Sequence, residues 1–320
     1  MKTSAPGVRK YIEKGGIKAL PHNLTVDFLR NKFAYIVSIP MVVFYILFNY
    51  LPMFGIVIAF QKYSPFKGVL GSEWVGLKNF VSFFSGPFFG RIFSNTLILG
   101  VLELLISFPA PIIFALLLNE IRKKKPLKVI QTISYMPYFI SAVVLCGIVI
   151  DFSKAGGLLS NLVQVFTGTS QDLLSNSTFF RPIYILQNIW QGLGYGSIIF
   201  LAALTNVDQE LYEAAVLDGA NRWKQTKHVT IPGIMPTITM LLILRIASIL
   251  AVASDKILLL YRPTTYEVSD VIGTYVYRIG ILGTNYGLAS AVGLFNSVVA
   301  AVLLFTANAV TRKFSDNSLF

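Results

Sequence analysis

Residues 213–232 read EAAVLDGANRWKQTKHVTIP. The segment is charged and short, and apolar runs long enough to cross a bilayer lie on both sides of it. A polar insert of this kind, with paired alanines, a glycine and a proline at defined places, has to be either a connector on the membrane surface or a surface for a partner.

Working outward, the chain has 320 residues, 54% of them hydrophobic and 13% charged, with a mean hydropathy of +0.65. Soluble domains carry about 25% charged residues, so this composition excludes one and predicts an integral membrane protein. Apolar runs predict six helices, over residues 33–60, 94–118, 130–150, 183–204, 234–253 and 286–309. The fold class is therefore all-α and polytopic. Pro40, Pro52, Pro109, Pro111 and Pro137 fall inside these runs, where neighbouring helices are expected to take up the carbonyls they free.

The net charge of +12 is that of a membrane protein whose basic residues collect on the cytoplasmic side, not of a nucleic-acid binder, since no aromatic-basic module accompanies it. Lys2, Arg9, Lys10, Lys14, Lys18, Arg30 and Lys32 precede the first run; Arg122, Lys123, Lys124, Lys125 and Lys128 follow the second. Arg222, Lys224 and Lys227 follow the fourth, and Arg312 and Lys313 the last. These seventeen lie on one side, against nine in the three longer loops of the other. Both termini are expected in the cytoplasm.

Three segments result: a basic tail over residues 1–32, a membrane domain over 33–309 with its polar loop at about 208–232, and a tail over 310–320. The polar, basic start does not read as a signal peptide. Residues 151–182, with Gly156-Gly157 and several Ser, Thr and Asn, form a long outer loop.

Within the opening stretch, Asp208 is placed to cap a helix with Gln209 and Glu210 in its first turn. Leu211, Ala214, Ala215 and Asp218 recur at helical spacing, and Gly219 is a natural stop because it accepts positive φ. Asn221 restarts a second short helix carrying Arg222, Trp223 and Lys224, and Pro232 closes the unit before the fifth span. Adjacent alanines allow close approach to a partner, and Glu213, Asp218 and Arg222 offer charges to it or to each other, Asp218 and Arg222 standing at i,i+4. An amphipathic connector on lipid headgroups fits the same residues.

The pattern E-A-A-x-x-D-G-A, followed by Trp223 and a terminal I-P, resembles the EAA loop of binding-protein-dependent ABC importer permeases. Glu213, Ala214, Ala215, Asp218, Gly219, Ala220, Trp223 and Pro232 stand at matching positions. Thr226 departs from the family's usual Phe. The stretches YILFNYLPMFGIVIAFQKY (45–63), SYMPYFIS (134–141) and LLYRPTTYEVSDVIGTYVYRIGI (259–281) are similar to the carbohydrate-uptake branch, above all to importers of oligosaccharides and polysaccharide fragments such as alginate. The resemblance implies the six-helix transmembrane domain of a type I importer. It also implies that residues 213–232 form a coupling helix docking on a separate cytoplasmic ATPase dimer. Further implied partners are a second permease, homologous but a different chain, an extracytoplasmic solute-binding protein, and a saccharide. ATP and magnesium would sit on the ATPase, with no cofactor on this chain.

Two charges lie inside predicted spans. Arg245 is about eleven residues, roughly 16 Å, into the fifth, and Glu103 about nine residues, roughly 14 Å, into the second from the opposite side. In a core of about 30 Å the two depths coincide. A charge there costs on the order of 3 kcal/mol and must face protein or water. Either the two pair and fix packing, or Arg245 lines the pathway and meets substrate. Tyr135 and Tyr138 are the aromatic pathway candidates.

No Walker phosphate loop occurs. His22 and His228 have no metal-ligand companions, and Cys146, the one cysteine, reads as a small buried hydrophobe. No catalytic Ser/His/Asp or Cys/His set is visible. An enzyme is not expected. The competing reading is a secondary transporter driven by an ion gradient; dependence of uptake on ATP separates the two.

Overall fold

The computed structural model describes Phe28 and residues 30–314. Most of both expected tails, and His22, lie outside the described residues. The chain divides into two compact units, one ending at Val57 and the other beginning at Ile58.

The first unit holds most of helix α1 (Lys32–Phe60). It opens as an α-helix through Tyr45, widens to a π turn over Ile46–Tyr50, and tightens to 3₁₀ from Phe54. Two residues after the π turn stands Pro52. The same spacing recurs twice: a π turn at Glu103–Ser107 precedes Pro109, and one at Thr226–Thr230 precedes Pro232. Proline lacks an N–H and its ring displaces the carbonyl four residues back. Lengthening the turn lets earlier donors reach one residue further, as Phe108 N does to Glu103 O at 2.9 Å. At these three prolines the helix itself absorbs the defect; for Pro52 and Pro109 neighbouring helices had been expected to do so.

The second unit begins with a two-residue antiparallel pair, β1 (Gln61–Lys62) and β2 (Glu73–Trp74), with Gln61 opposite Trp74. There follow α2 (Lys78–Phe84), α3 (Phe89–Asn119), α4 (Lys124–Tyr135), α5 (Ala142–Ser153), α6 (Leu158–Thr167), α7 (Ser177–Leu204) and α8 (Gln209–Leu217). The unit closes with α9 (Arg222–Ala247), α10 (Ser254–Leu260), α11 (Ile272–Val276) and α12 (Tyr286–Phe314). Five stretches are long and apolar enough to cross a membrane: α1, α3, the α5–α6 stretch, α9 and α12. The remaining expected span, α7, has the length, at 28 residues, but carries Gln187, Asn188 and Gln191.

The expected loop over 151–182 holds helix α6 and the ends of α5 and α7, and the second and fourth spans start earlier than expected, at Phe89 and Ser177. Three further differences bear on the site. The third span, expected unbroken over 130–150, is interrupted. Pro137 lies in a 3₁₀ turn, Ile140 is extended, and Ser141 starts α5 afresh as its N-cap. The fifth span ends at Ala247 instead of Ala253, and α10 follows as a separate short helix. Pro232 does not separate a short helix from the fifth span. It sits in the first turn of the α segment Ile231–Ala247, and the helix runs continuously from Arg222.

The core is layered. Phe83, Ile92, Ile272, Tyr275 and Val292 pack α2, α3, α11 and α12 together at one end. Leu99, Cys146, Phe180, Tyr184 and Ile257 join α3, α5, α7 and α10. Ala115, Phe200, Leu204 and Ile234 join α3, α7 and α9 at the other end. Gly194 lets α7 approach α4 backbone to backbone, because a Cβ there would collide with the Ser134 carbonyl.

Candidate functional site

The loop of residues 208–232 is built as its residues dictate. Asp208 Oδ1 accepts from Glu210 N at 3.0 Å and opens α8. Gly219, at φ 71°, closes it. Ala220 N donates to Ala215 O at 2.9 Å and Gly219 N to Val216 O at 3.0 Å, the paired bonds of a Schellman stop. Asn221 Oδ1 then accepts from Lys224 N at 2.9 Å and starts α9. Tyr212 OH bonds Thr230 Oγ1 at 3.0 Å and Gln225 Nε2 bonds Ala220 O at 2.9 Å, so α8 is tied back onto α9.

No residue of α8 is buried. Glu213, Ala214, Asp218, Gly219, Arg222 and Pro232 are exposed, while Ala215 and Ala220 are half-buried. Leu217 is 88% and Trp223 74% exposed, an apolar display that water alone does not favour. Arg222 does not pair with Asp218, because the Gly219 turn takes them off a common helix face. It pairs with Glu120, just beyond α3, at 2.8 Å. His228 is exposed, with Nδ1 3.0 Å from Lys224 O.

At the far end of α9 lies a cavity of about 890 Å³. Glu103 and Pro111 of α3, Asn188 and Gln191 of α7, and Leu241 and Arg245 of α9 contribute to its wall, with Asp255 and Lys256 of α10. Arg245 and Glu103 form an ion pair across it. Glu103 Oε1 also accepts from Tyr184 OH at 2.7 Å and Asn188 Nδ2 at 3.1 Å. Asn188 Oδ1 in turn accepts from Lys256 Nζ at 2.8 Å, and Gln191 Oε1 from the same ammonium at 2.6 Å. One polar chain thus runs through α3, α7, α9 and α10. The two roles weighed for Arg245 are not exclusive in this geometry, since the ion pair itself lines the cavity. Tyr138 also lines it, stacked on Tyr195 with centroids 3.8 Å apart and planes 6° apart. Tyr135 is half-buried and does not.

Sequence reasoning missed Tyr184, Asn188, Gln191 and Lys256. The α7 amides did leave a signal, three carboxamides at helical spacing in an otherwise apolar run. Lys256 left none, because an expected fifth span ending at Ala253 put it in an outer loop.

Nearer the start of α3 and of α7, Asp270 is fully buried and gathers Arg91 at 3.2 Å, Arg278 at 2.7 Å and Thr274 Oγ1 at 2.8 Å. The Asp270 hydrogen bond raises the Arg278 pKa above its ordinary value. Asn95 Nδ2 donates to Asp270 O at 3.1 Å, and Arg181 Nη2 to Asn95 Oδ1 at 2.8 Å. These contacts fasten the segment between α10 and α11 onto α3 and α7.

Residues 81–316 match the family described as binding-protein-dependent transport system inner membrane component. The chain belongs to that family. It is 44% identical over 292 residues to protein LplB of Bacillus subtilis (strain 168), covering 91% of this chain and 92% of that one. It is 42% identical over 324 residues to the polygalacturonan/rhamnogalacturonan transport system permease protein YteP of the same organism, covering both chains in full. Among solved structures it is similar to a chain of a bacterial alginate ABC transporter in complex with alginate pentasaccharide-bound periplasmic protein. There the TM-score is 0.84 and the identity 40%, over 92% of this chain and 98% of that chain. The fold is that of an ABC importer transmembrane domain, and the chain is a multi-pass inner-membrane transport component. The secondary-transporter reading falls with family membership.

Proposed function

We propose that this chain is the permease through which an ATP-driven importer carries an oligosaccharide bearing uronic acids, and that residues 208–232 couple it to the ATPase. One observation carries the coupling reading. The exposed turn that displays Glu213, Leu217 and Trp223 is tied to α9, and α9 reaches, about 35 Å further on at 1.5 Å per residue, Arg245 in the cavity wall. A displacement imposed on the turn therefore acts on the cavity through one continuous helix. Glu213, Ala214, Ala215, Asp218, Gly219, Ala220, Arg222, Trp223 and Pro232 form the coupling surface, with Arg222 acting through Glu120. Arg245, Glu103 and Tyr138 line the pathway.

The saccharide reading is supported by the relatives, a polygalacturonan/rhamnogalacturonan permease and a transporter of alginate, and by a cavity wall that mixes amides, charges and a tyrosine stack. A second, homologous permease completes the pathway, a binding protein delivers the sugar from outside, and ATP with magnesium is held by the ATPase dimer. Both termini and the coupling turn face the cytoplasm, and residues 151–182 face outward. The tails, 1–32 and 310–320, flank the membrane domain of residues 33–309.

The test is uptake of labelled oligogalacturonate into proteoliposomes holding the complete importer. Uptake should require internal-face ATP and the binding protein and should persist when ion gradients are collapsed. Uptake that follows an ion gradient without ATP overturns the reading.

A further inference from the structure

The cavity wall carries two cations, Arg245 and Lys256, and they are held differently. Arg245 is neutralised by Glu103, and among the described residues Lys256 makes no ion pair. Asp255, its neighbour in sequence, is exposed, also lines the cavity and likewise makes no ion pair, although its carboxylate and that of Glu103 act on the Lys256 ammonium from a distance. The Lys256 ammonium instead donates to two neutral amide oxygens, Asn188 Oδ1 at 2.8 Å and Gln191 Oε1 at 2.6 Å.

Both amides are held with their oxygens toward it. Asn188 Nδ2 is committed to Glu103 Oε1 at 3.1 Å and Gln191 Nε2 to Ile140 O at 3.2 Å. Such partners orient a cation without neutralising it. An ammonium has three donors, and two are used. A half-buried cation in a membrane protein, aimed at a cavity and left with its charge and one donor, is a site for an anion.

We infer that Lys256 is the residue by which the cavity selects an anionic saccharide over a neutral one of equal size, its ammonium meeting a substrate carboxylate; this rests on the saccharide reading above. Asn188 and Gln191 are positioning residues for it. A charge-assisted contact of this kind is worth at least about tenfold in recognition.

The experiment uses the complete importer in proteoliposomes. Uptake of trigalacturonate and of its methyl ester is measured, each at a concentration that saturates the binding protein, for the native chain, Lys256→Gln and Lys256→Arg. Basal ATP hydrolysis reports assembly. Lys256→Gln should lower uptake of the acid at least about tenfold, raise the ester-to-acid ratio by the same factor and leave basal hydrolysis intact, while Lys256→Arg keeps most of the acid uptake. An unchanged ester-to-acid ratio, or loss of basal hydrolysis in Lys256→Gln together with Lys256→Arg, makes Lys256 a packing residue and overturns the inference. If the native importer carries neither form, the saccharide reading fails first and takes this one with it.

Discussion

Arg222 pairs with Glu120 at 2.8 Å, which ties the first residue of α9 to the end of α3. Arg245 and Glu103 tie the same two helices again at the cavity. The helices run antiparallel, so the two pairs sit at opposite ends of one contact. Any movement of the Gly219 turn that separates α9 from α3 must strain one pair or both.

The two pairs should differ in strength because they differ in burial. The Arg222 and Glu120 side chains are 57% and 46% exposed. A double-mutant cycle with Arg222→Ala and Glu120→Ala should give a coupling energy of about 0.5 kcal/mol in detergent unfolding. Glu103 is 8% and Arg245 37% exposed, so Glu103→Ala would leave Arg245 unpaired but partly solvated, at a cost of about 1–3 kcal/mol. Joint reversal, Glu103→Arg with Arg245→Glu, should restore assembly lost in either single change. Equal, small effects at both pairs would remove the distinction.

Close packing of α4 on α7 depends on Gly194. Gly194→Ala should destabilise by about 1–3 kcal/mol, because backbone must move to admit the methyl. Gly147, in α5, has open space at the same distance. Gly147→Ala should be neutral or stabilise by up to about 1 kcal/mol. Thermal unfolding of the two variants side by side checks the contrast.

Burial of Asp270 beside Arg91 and Arg278 makes the segment between α10 and α11 sensitive to one charge. Asp270→Asn should destabilise by about 3–5 kcal/mol and raise hydrogen exchange over residues 262–276. Protection unchanged from the native chain would mean that apolar packing alone holds the segment.

Orientation is tested by labelling in a Cys146→Ala background. Lys224→Cys should react with an impermeant maleimide only from the cytoplasmic face, and Thr169→Cys only from outside. Reaction of the Lys224→Cys variant from outside would invert the topology and end the docking argument.

Much of this was legible in the sequence. The caps at Asp208 and Asn221 and the stop at Gly219 depend on neighbours within a few residues, so local chemistry was enough. The depth match of Glu103 and Arg245 needed only helix rise and bilayer thickness. What escaped depended on where spans break. Pro137 was read as tolerated inside a helix, yet it ends one. The early end of α9 at Ala247 carries Lys256 back to the cavity, and no apolarity pattern marks that turn. Arg222 was compared only with the acids nearby in sequence and with a partner surface, whereas Glu120 comes from just beyond a distant span.

The most direct measurement is ATP hydrolysis by the reconstituted importer, with and without sugar-loaded binding protein, for Glu213→Ala and Gly219→Pro. Proline cannot adopt the positive φ that Gly219 holds, and the alanine removes the exposed Glu213 carboxylate. Both variants should insert and bind loaded binding protein normally, yet lose sugar-stimulated hydrolysis and uptake. Stimulation at the native level in both would contradict a coupling role for the turn.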